Sequence, residues 1–260
     1  MTTRPPRSRP PVRLYCFPYA GATSSIYRSW QAKSPDSVQL VGIDPPGRGT
    51  RTKEPVIERF PELVASMAAA VAADLRRAGE PRYATFGHSL GGVVSLAVAD
   101  AVAHRTGLPP ERSFVSASLP PGLHKPVDET AGMTDAELVE KIRADGGTAP
   151  ALLASAAMAA ILVRLMREDH ALRSQFAAEH GLVVGHPLTT IAALDDEFIT
   201  PERMRRWAGH SAAAGRHVEI DGGHFAAFDD PTEVLAIVAH DLLASADRPA
   251  ADLRHYRSAG

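Results

Sequence analysis

The sequence predicts an α/β fold, with a mostly parallel central sheet flanked by helices and a helical insertion between two of the strands. Three observations carry this expectation. Short apolar runs alternate with stretches of helical period, as βαβ units require. Between residues 122 and 185 the alternation stops and only helical patterns remain. A glycine-flanked serine, in Gly87-His88-Ser89-Leu90-Gly91-Gly92, stands between a strand run and a helical run.

Taken in order, residues 1–11 are rich in proline and arginine and are expected to form a flexible tail. Apolar runs predict strands at 12–17, 38–43, 83–86 and 113–118. Helical periods fall between them at 25–33, 59–78 and 90–106. The insertion reads as three amphipathic helices, at 133–144, 150–166 and 169–180. Strands return at 188–193 and 217–220, separated by a helix at 201–207. A last helix spans 231–244, with Asp230 as its N-cap and Pro231 at its first position. Residues 247–260 form a second tail.

The chain thus divides into a core of 1–121 and 186–246, an insertion of 122–185 and a C-terminal tail of 247–260. The insertion is expected to lie as a lid over the end of the sheet, because it separates Ser89 from the later candidates for chemistry. The alternative is a helical excursion that only packs on the core.

Composition narrows the classes. With 45% hydrophobic and 22% charged residues in 260, the chain is a soluble globular type able to bury a large core. A formal net charge of -2 gives no footprint for nucleic acid or a membrane surface. Cys16 is the single cysteine, so no internal disulfide forms, and its place in an apolar strand predicts a buried, inert thiol. The N-terminal MTTRPPRSRPP lacks the apolar core of a signal peptide, and no run approaches the roughly 20 apolar residues of a membrane span. A cytoplasmic location is expected. No His, Cys or carboxylate grouping has metal-ligand spacing.

The chemistry centres on Ser89. A serine between glycines, after a strand and before a helix, is the pattern of a nucleophile elbow, where the chain turns so tightly that side chains near it must be absent. This context implies the α/β-hydrolase fold. A serine hydroxyl is a poor nucleophile without a base, so a histidine is required. Of eleven histidines, His224 lies just after the last strand, near the C-terminus, in Asp221-Gly222-Gly223-His224-Phe225, where this fold puts its base. His104, His170, His180, His240 and His255 lie in helical or polar surroundings and are expected to be solvated, while His88 points away from Ser89.

The imidazole in turn needs a carboxylate on its other nitrogen. The chain order Ser, acid, His and a position just after a strand leave Asp196 and Asp195, with Asp196 favoured. An oxyanion hole needs two backbone N–H donors. One is expected from Leu90, after the nucleophile, and the other from the turn after the first strand, Phe17-Pro18-Tyr19-Ala20-Gly21-Ala22, at Ala20 or else Tyr19. Residues 44–51, with Arg48 and Arg51, read as a solvated structural loop or as a site for an acidic partner.

These motifs together resemble the type II thioesterases of polyketide and nonribosomal peptide assembly lines, along nearly the whole chain. The matching pieces are Cys16-Phe17-Pro18-Tyr19-Ala20-Gly21, Pro46-Gly47-Arg48-Gly49-Thr50-Arg51 and Gly87-His88-Ser89-Leu90-Gly91. They continue with Gly146-Gly147-Thr148, Asp196 ahead of Thr200-Pro201-Glu202 and Trp207, and Gly222-Gly223-His224-Phe225. The resemblance implies hydrolysis of stalled or wrong acyl groups from the phosphopantetheine arm of acyl or peptidyl carrier proteins. It implies a triad of Ser89, Asp196 and His224, oxyanion donors at Ala20 and Leu90, and no cofactor beyond the arm that the substrate carries. Nothing in the sequence demands more than a monomer. Other readings remain open: a product-releasing thioesterase, a general carboxylesterase or acyl-CoA hydrolase, and a binding protein on a catalytically dead hydrolase fold.

Overall fold

A computed structural model describes residues 10–79 and 82–245; most of the expected tail at 1–11 (residues 1–9) and all of that at 247–260, with His255, lie outside the described residues. The strands are β1 (Val12–Phe17), β2 (Val38–Gly42), β3 (Tyr83–His88), β4 (Ser113–Ser116), β5 (Leu188–Ala193) and β6 (Arg216–Ile220). The first helices are α1 (Arg28–Gln31), α2 (Phe60–Arg77) and α3 (Leu90–Thr106). Between β4 and β5 come α4 (Asp135–Asp145), α5 (Pro150–Leu153) and α6 (Ala156–Arg173). The chain ends with α7 (Pro201–Arg205), α8 (Ala226–Asp229) and α9 (Pro231–Ser245).

All five pairings are parallel, in the order β2-β1-β3-β4-β5-β6. The order reverses at β1, which has β2 on one side and β3 on the other. In open parallel sheets the crevice beyond the strand ends at such a switch point is where ligands bind. Phe17 pairs with Gly87 across β1 and β3, so the turn after β1 and the elbow after β3 leave the sheet at one level.

Strand alternation sorts side chains between two cores. Tyr15 and Phe17 of β1 join Leu63, Met67 and Val71 of α2 and Val93 and Leu96 of α3 on one face. Leu14 and Cys16 join Trp30, Phe86, Phe114 and Val234, Leu235 and Val238 of α9 on the other. Helix α3 is buried on most sides, which explains why it shows so little polar patterning. Cys16 is fully buried as expected, and burial pushes its thiol pKa far up, which makes it inert.

Several boundaries differ from the sequence reading, each for a local reason. The strand expected over 113–118 stops at Ser116, because Ala117 takes a left-handed φ of 41°. The helix expected over 25–33 is a 3-10 turn, Ser24–Tyr27, followed by short α1. The helices expected at 150–166 and 169–180 are divided elsewhere. Ser155 caps the start of α6, which then runs unbroken through 167–168, and a 3-10 segment, Phe176–Gly181, follows it. The Arg164–Glu168 pair, four residues apart, supports that unbroken run. Asp230 does cap α9, accepting the Thr232 N–H at 3.0 Å.

The inserted helices form a small core of their own from Leu138, Ile142, Leu153, Val163 and Met166, and Ala20 of the turn after β1 packs against it. The insertion therefore meets the sheet at the switch point. Among the described residues no helix is long and apolar enough to cross a membrane.

Candidate active site

Ser89 occupies the turn between β3 and α3 with φ 53° and ψ −122°, a strained backbone for a residue with a side chain. Such a conformation costs about 1–3 kcal/mol and persists only when its surroundings enforce it. Here the enforcement is visible. The Ser89 N–H is held by the Ser116 carbonyl at 2.9 Å, and a Cβ on Gly87 would fall 1.9 Å from the Gly91 carbonyl oxygen. A Cβ on Gly91 would lie 2.4 Å from the Phe17 oxygen and 2.7 Å from the Pro18 oxygen. The start of α3 and the turn after β1 are thus in near contact, which only glycine at 91 permits.

The turn after β1 is closed by a hydrogen bond from Ala22 N–H to the Tyr19 carbonyl at 3.1 Å, with Gly21 at φ +75° in its third position. Among the described residues the Ala20 and Leu90 N–H groups make no hydrogen bond, so two free donors border the elbow. The α3 dipole adds positive potential on the Leu90 side.

Asp196 and His224 lie in the loops after β5 and β6. The Asp196 Oδ2 accepts from the His224 Nδ1 at 2.6 Å, while Oδ1 accepts the N–H groups of Phe198 at 3.0 Å and Ile199 at 2.9 Å. Burial pushes the Asp196 pKa up, but the bonds from His224, Ile199 and Phe198 outweigh it and leave the carboxyl below its ordinary value. The carboxylate therefore stays charged and fixes the tautomer that leaves Nε2 free. Asp195, the alternative acid, is exposed. His224 Nε2 makes no direct hydrogen bond to Ser89 Oγ among the described residues. His88, the residue before Ser89, has its ring 5.1 Å from that of His224.

Two groups missed in the sequence border this centre. His88 is fully buried, with Nδ1 sharing a 3.1 Å hydrogen bond with Ser116 Oγ and Nε2 without a partner among the described residues. Burial, and then the adjacent His224, hold its pKa well below the ordinary value, so it stays neutral against the other imidazole. Arg48 is neither solvated nor turned outward to a partner. It is buried and grips Asp169 of α6 with two bonds, at 2.7 and 2.8 Å, and Glu168 at 3.3 Å. The loop that carries it was conspicuous in the sequence, but its partner 121 residues away was not. His170, expected in solvent, is buried at 6% exposure, and burial lowers its pKa.

Tyr19 closes the group. Its hydroxyl donates to the Gly147 carbonyl at 2.8 Å and its ring stands edge-on to Phe225 at 5.0 Å, so the β1 turn, the insertion and the histidine loop touch one another. No cluster of three or more His, Cys, Asp or Glu side chains among the described residues is arranged to hold a metal.

Comparison with known proteins agrees with this architecture. The family described as the thioesterase domain matches residues 12–242. The linear gramicidin dehydrogenase LgrE of Brevibacillus parabrevis is 30% identical over 234 residues, covering 89% of this chain and 88% of that one. The RedJ thioesterase from the prodiginine biosynthetic pathway of Streptomyces coelicolor is 30% identical with a TM-score of 0.75, covering 93% of this chain and 96% of that one. ClbQ from the colibactin NRPS/PKS pathway shares the fold at a TM-score of 0.81 and 21% identity, covering 91% and 98%. The match runs through sheet and insertion alike, and the chain belongs to the thioesterase family of α/β-hydrolase fold, a hydrolase of thioesters.

Proposed function

We propose that this thioesterase is of type II, removing acyl groups from the phosphopantetheine arm of acyl or peptidyl carrier proteins through Ser89, His224 and Asp196. The observation that carries the reading is the Asp196–His224 hydrogen bond of 2.6 Å, in the loops after β5 and β6, together with the strained serine at the end of β3. His224 Nε2 takes the Ser89 proton as Oγ attacks the thioester carbonyl. The oxyanion that forms is met by the Ala20 and Leu90 N–H groups. Collapse expels the arm's thiolate, which takes the proton from His224, and leaves Ser89 acylated. Water, deprotonated by the same histidine, then attacks the ester carbonyl and releases the carboxylic acid and free Ser89.

The arm arrives with the substrate, so the protein supplies no cofactor of its own to the reaction. The reading places the enzyme in the cytoplasm as a monomer, meeting a carrier protein and a small acyl group rather than nucleic acid or membrane. RedJ's place in the prodiginine pathway and LgrE's link to linear gramicidin support an assembly-line setting.

The test is hydrolysis of one short acyl group from an acyl carrier protein, from coenzyme A and from a simple oxygen ester, with Ser89→Ala as control. Preference for the carrier-bound thioester, abolished in the variant, is the expected result. Equal or faster turnover of the oxygen ester would reject the carrier-protein reading while leaving the triad standing.

A further inference from the structure

Asp169 is buried at 2% exposure, and its carboxylate holds more than Arg48. Its Oδ2 also accepts the backbone N–H of Gly21 at 2.7 Å. Gly21 is the residue after Ala20, in the same closed turn. The other end of that segment is held in the same way. Asp44, also 2% exposed, accepts the Ser24 N–H at 2.6 Å through Oδ1, and Oδ2 accepts from Thr50 N–H and hydroxyl at 2.8 and 2.9 Å. Two buried carboxylates, one from the loop after β2 and one from the insertion, thus fix the chain from Gly21 to Ser24.

From this we infer that Asp169 is a positioning residue for catalysis: it sets the peptide orientation of the β1 turn so that Ala20 N–H faces the elbow, with Arg48 as its counter-ion. The inference rests on the assignment of Ala20 as an oxyanion donor. A turn closed by one 3.1 Å bond, with glycine at its third position, has other orientations available. A charge-assisted bond to Gly21 N–H selects one of them before substrate arrives, which is the preorganisation an oxyanion hole requires. The Arg48 fork keeps the carboxylate aimed; both its terminal nitrogens bond Asp169. The physical consequence is that α6 and the oxyanion turn share one hydrogen bond, so the insertion packed against that turn also shapes its chemistry.

Removing Asp169 alone would strand a buried guanidinium and unfold part of the chain. The test therefore removes the ion pair in both variants and differs only at the Gly21 acceptor. Arg48→Met with Asp169→Asn keeps an acceptor oxygen; Arg48→Met with Asp169→Leu has none. Apolar replacement of a buried pair is well tolerated, and Arg48→Met with Asp169→Ala carries the same prediction should the leucine variant not fold.

Folded variants are compared for kcat and KM on the best acyl substrate, and for affinity toward a short alkyl boronic acid, which forms a tetrahedral adduct with an active serine. The asparagine variant should stay close to the parent. The leucine variant should lose roughly 10- to 100-fold in kcat at nearly constant KM, somewhat less than a whole donor contributes, with a parallel loss of boronate affinity. Equal behaviour of the two variants, or a loss in KM alone, would overturn the assignment of Asp169. Activity of the parent reports separately on the proposed function, and loss of boronate affinity in Ser89→Ala reports on the serine.

Discussion

Asp196 and Asp195 are adjacent in sequence and differ in their surroundings: the carboxylate of Asp196 lies 2.6 Å from His224 Nδ1, while Asp195 is exposed and bonds the Gly222 carbonyl through its N–H at 2.9 Å. Asp195 joins the β5 and β6 loops through its backbone and Asp196 through its side chain. Asp196→Asn should keep the fold and lower kcat by about 10⁴-fold, because an amide can donate to Nδ1 and favour the wrong tautomer. Asp195→Asn should leave kcat within twofold. Steady-state kinetics on both variants checks the pair, and comparable losses would put the assignment of Asp196 in error.

The contact between Gly91 and the carbonyls of Phe17 and Pro18 makes a second prediction. A Cβ there would sit 2.4 Å from one backbone oxygen and 2.7 Å from another, and neither can rotate away. Gly91→Ala is expected to destabilise by about 1–3 kcal/mol through overpacking and to depress activity further, since the β1 turn must shift. Gly209→Ala, which meets nothing within 4 Å, should change stability by less than about 0.5 kcal/mol. Urea midpoints for the two variants provide the comparison.

Acid should weaken the protein well above the carboxylate range. His124 is held down to about 4 by burial first and by Arg173 second. In the unfolded chain a histidine titrates near 6.5, roughly. As pH falls below that value the unfolded chain takes up a proton that the folded chain refuses, so stability drops until the folded group itself titrates. The slope for one such group is at most about 1.4 kcal/mol per pH unit. His88, depressed by burial and by His224, acts in the same direction. Melting temperatures of the parent and of His124→Gln between pH 7 and 4 should show a flatter dependence in the variant; parallel curves would contradict it.

Trp207 is buried and donates its indole N–H to the Ser118 carbonyl at 2.6 Å, two residues beyond the strand end that holds Ser89. Trp207→Phe keeps most of the ring but leaves a buried carbonyl without a donor, a loss of about 1–3 kcal/mol. Chemical denaturation should resolve it. A change below about 0.5 kcal/mol would mean that Ser118 finds another donor.

The sequence by itself determined the succession of strands along the chain, the strand-to-helix turn at Ser89, the loop after the last strand that carries His224 and the turn at Ala20. Each of these is local: a few residues' size, backbone freedom and position after an apolar run dictate it. Strand Leu188–Ala193 and helix Leu90–Thr106 were legible to the residue for that reason. Legibility failed where distant pieces compete. The β4 end at Ala117 depends on the elbow it supports, and the break at Ser155 on where the inserted helices find their core. Only the tertiary structure set Asp169 against Arg48 and Gly21, placed neutral His88 beside His224, and showed the Asp196 carboxylate against His224 Nδ1. These pairings join residues far apart in the chain, and no local pattern marks them. What decides them is that a buried charge or polar group must find its partner when the sheet and the insertion close around it.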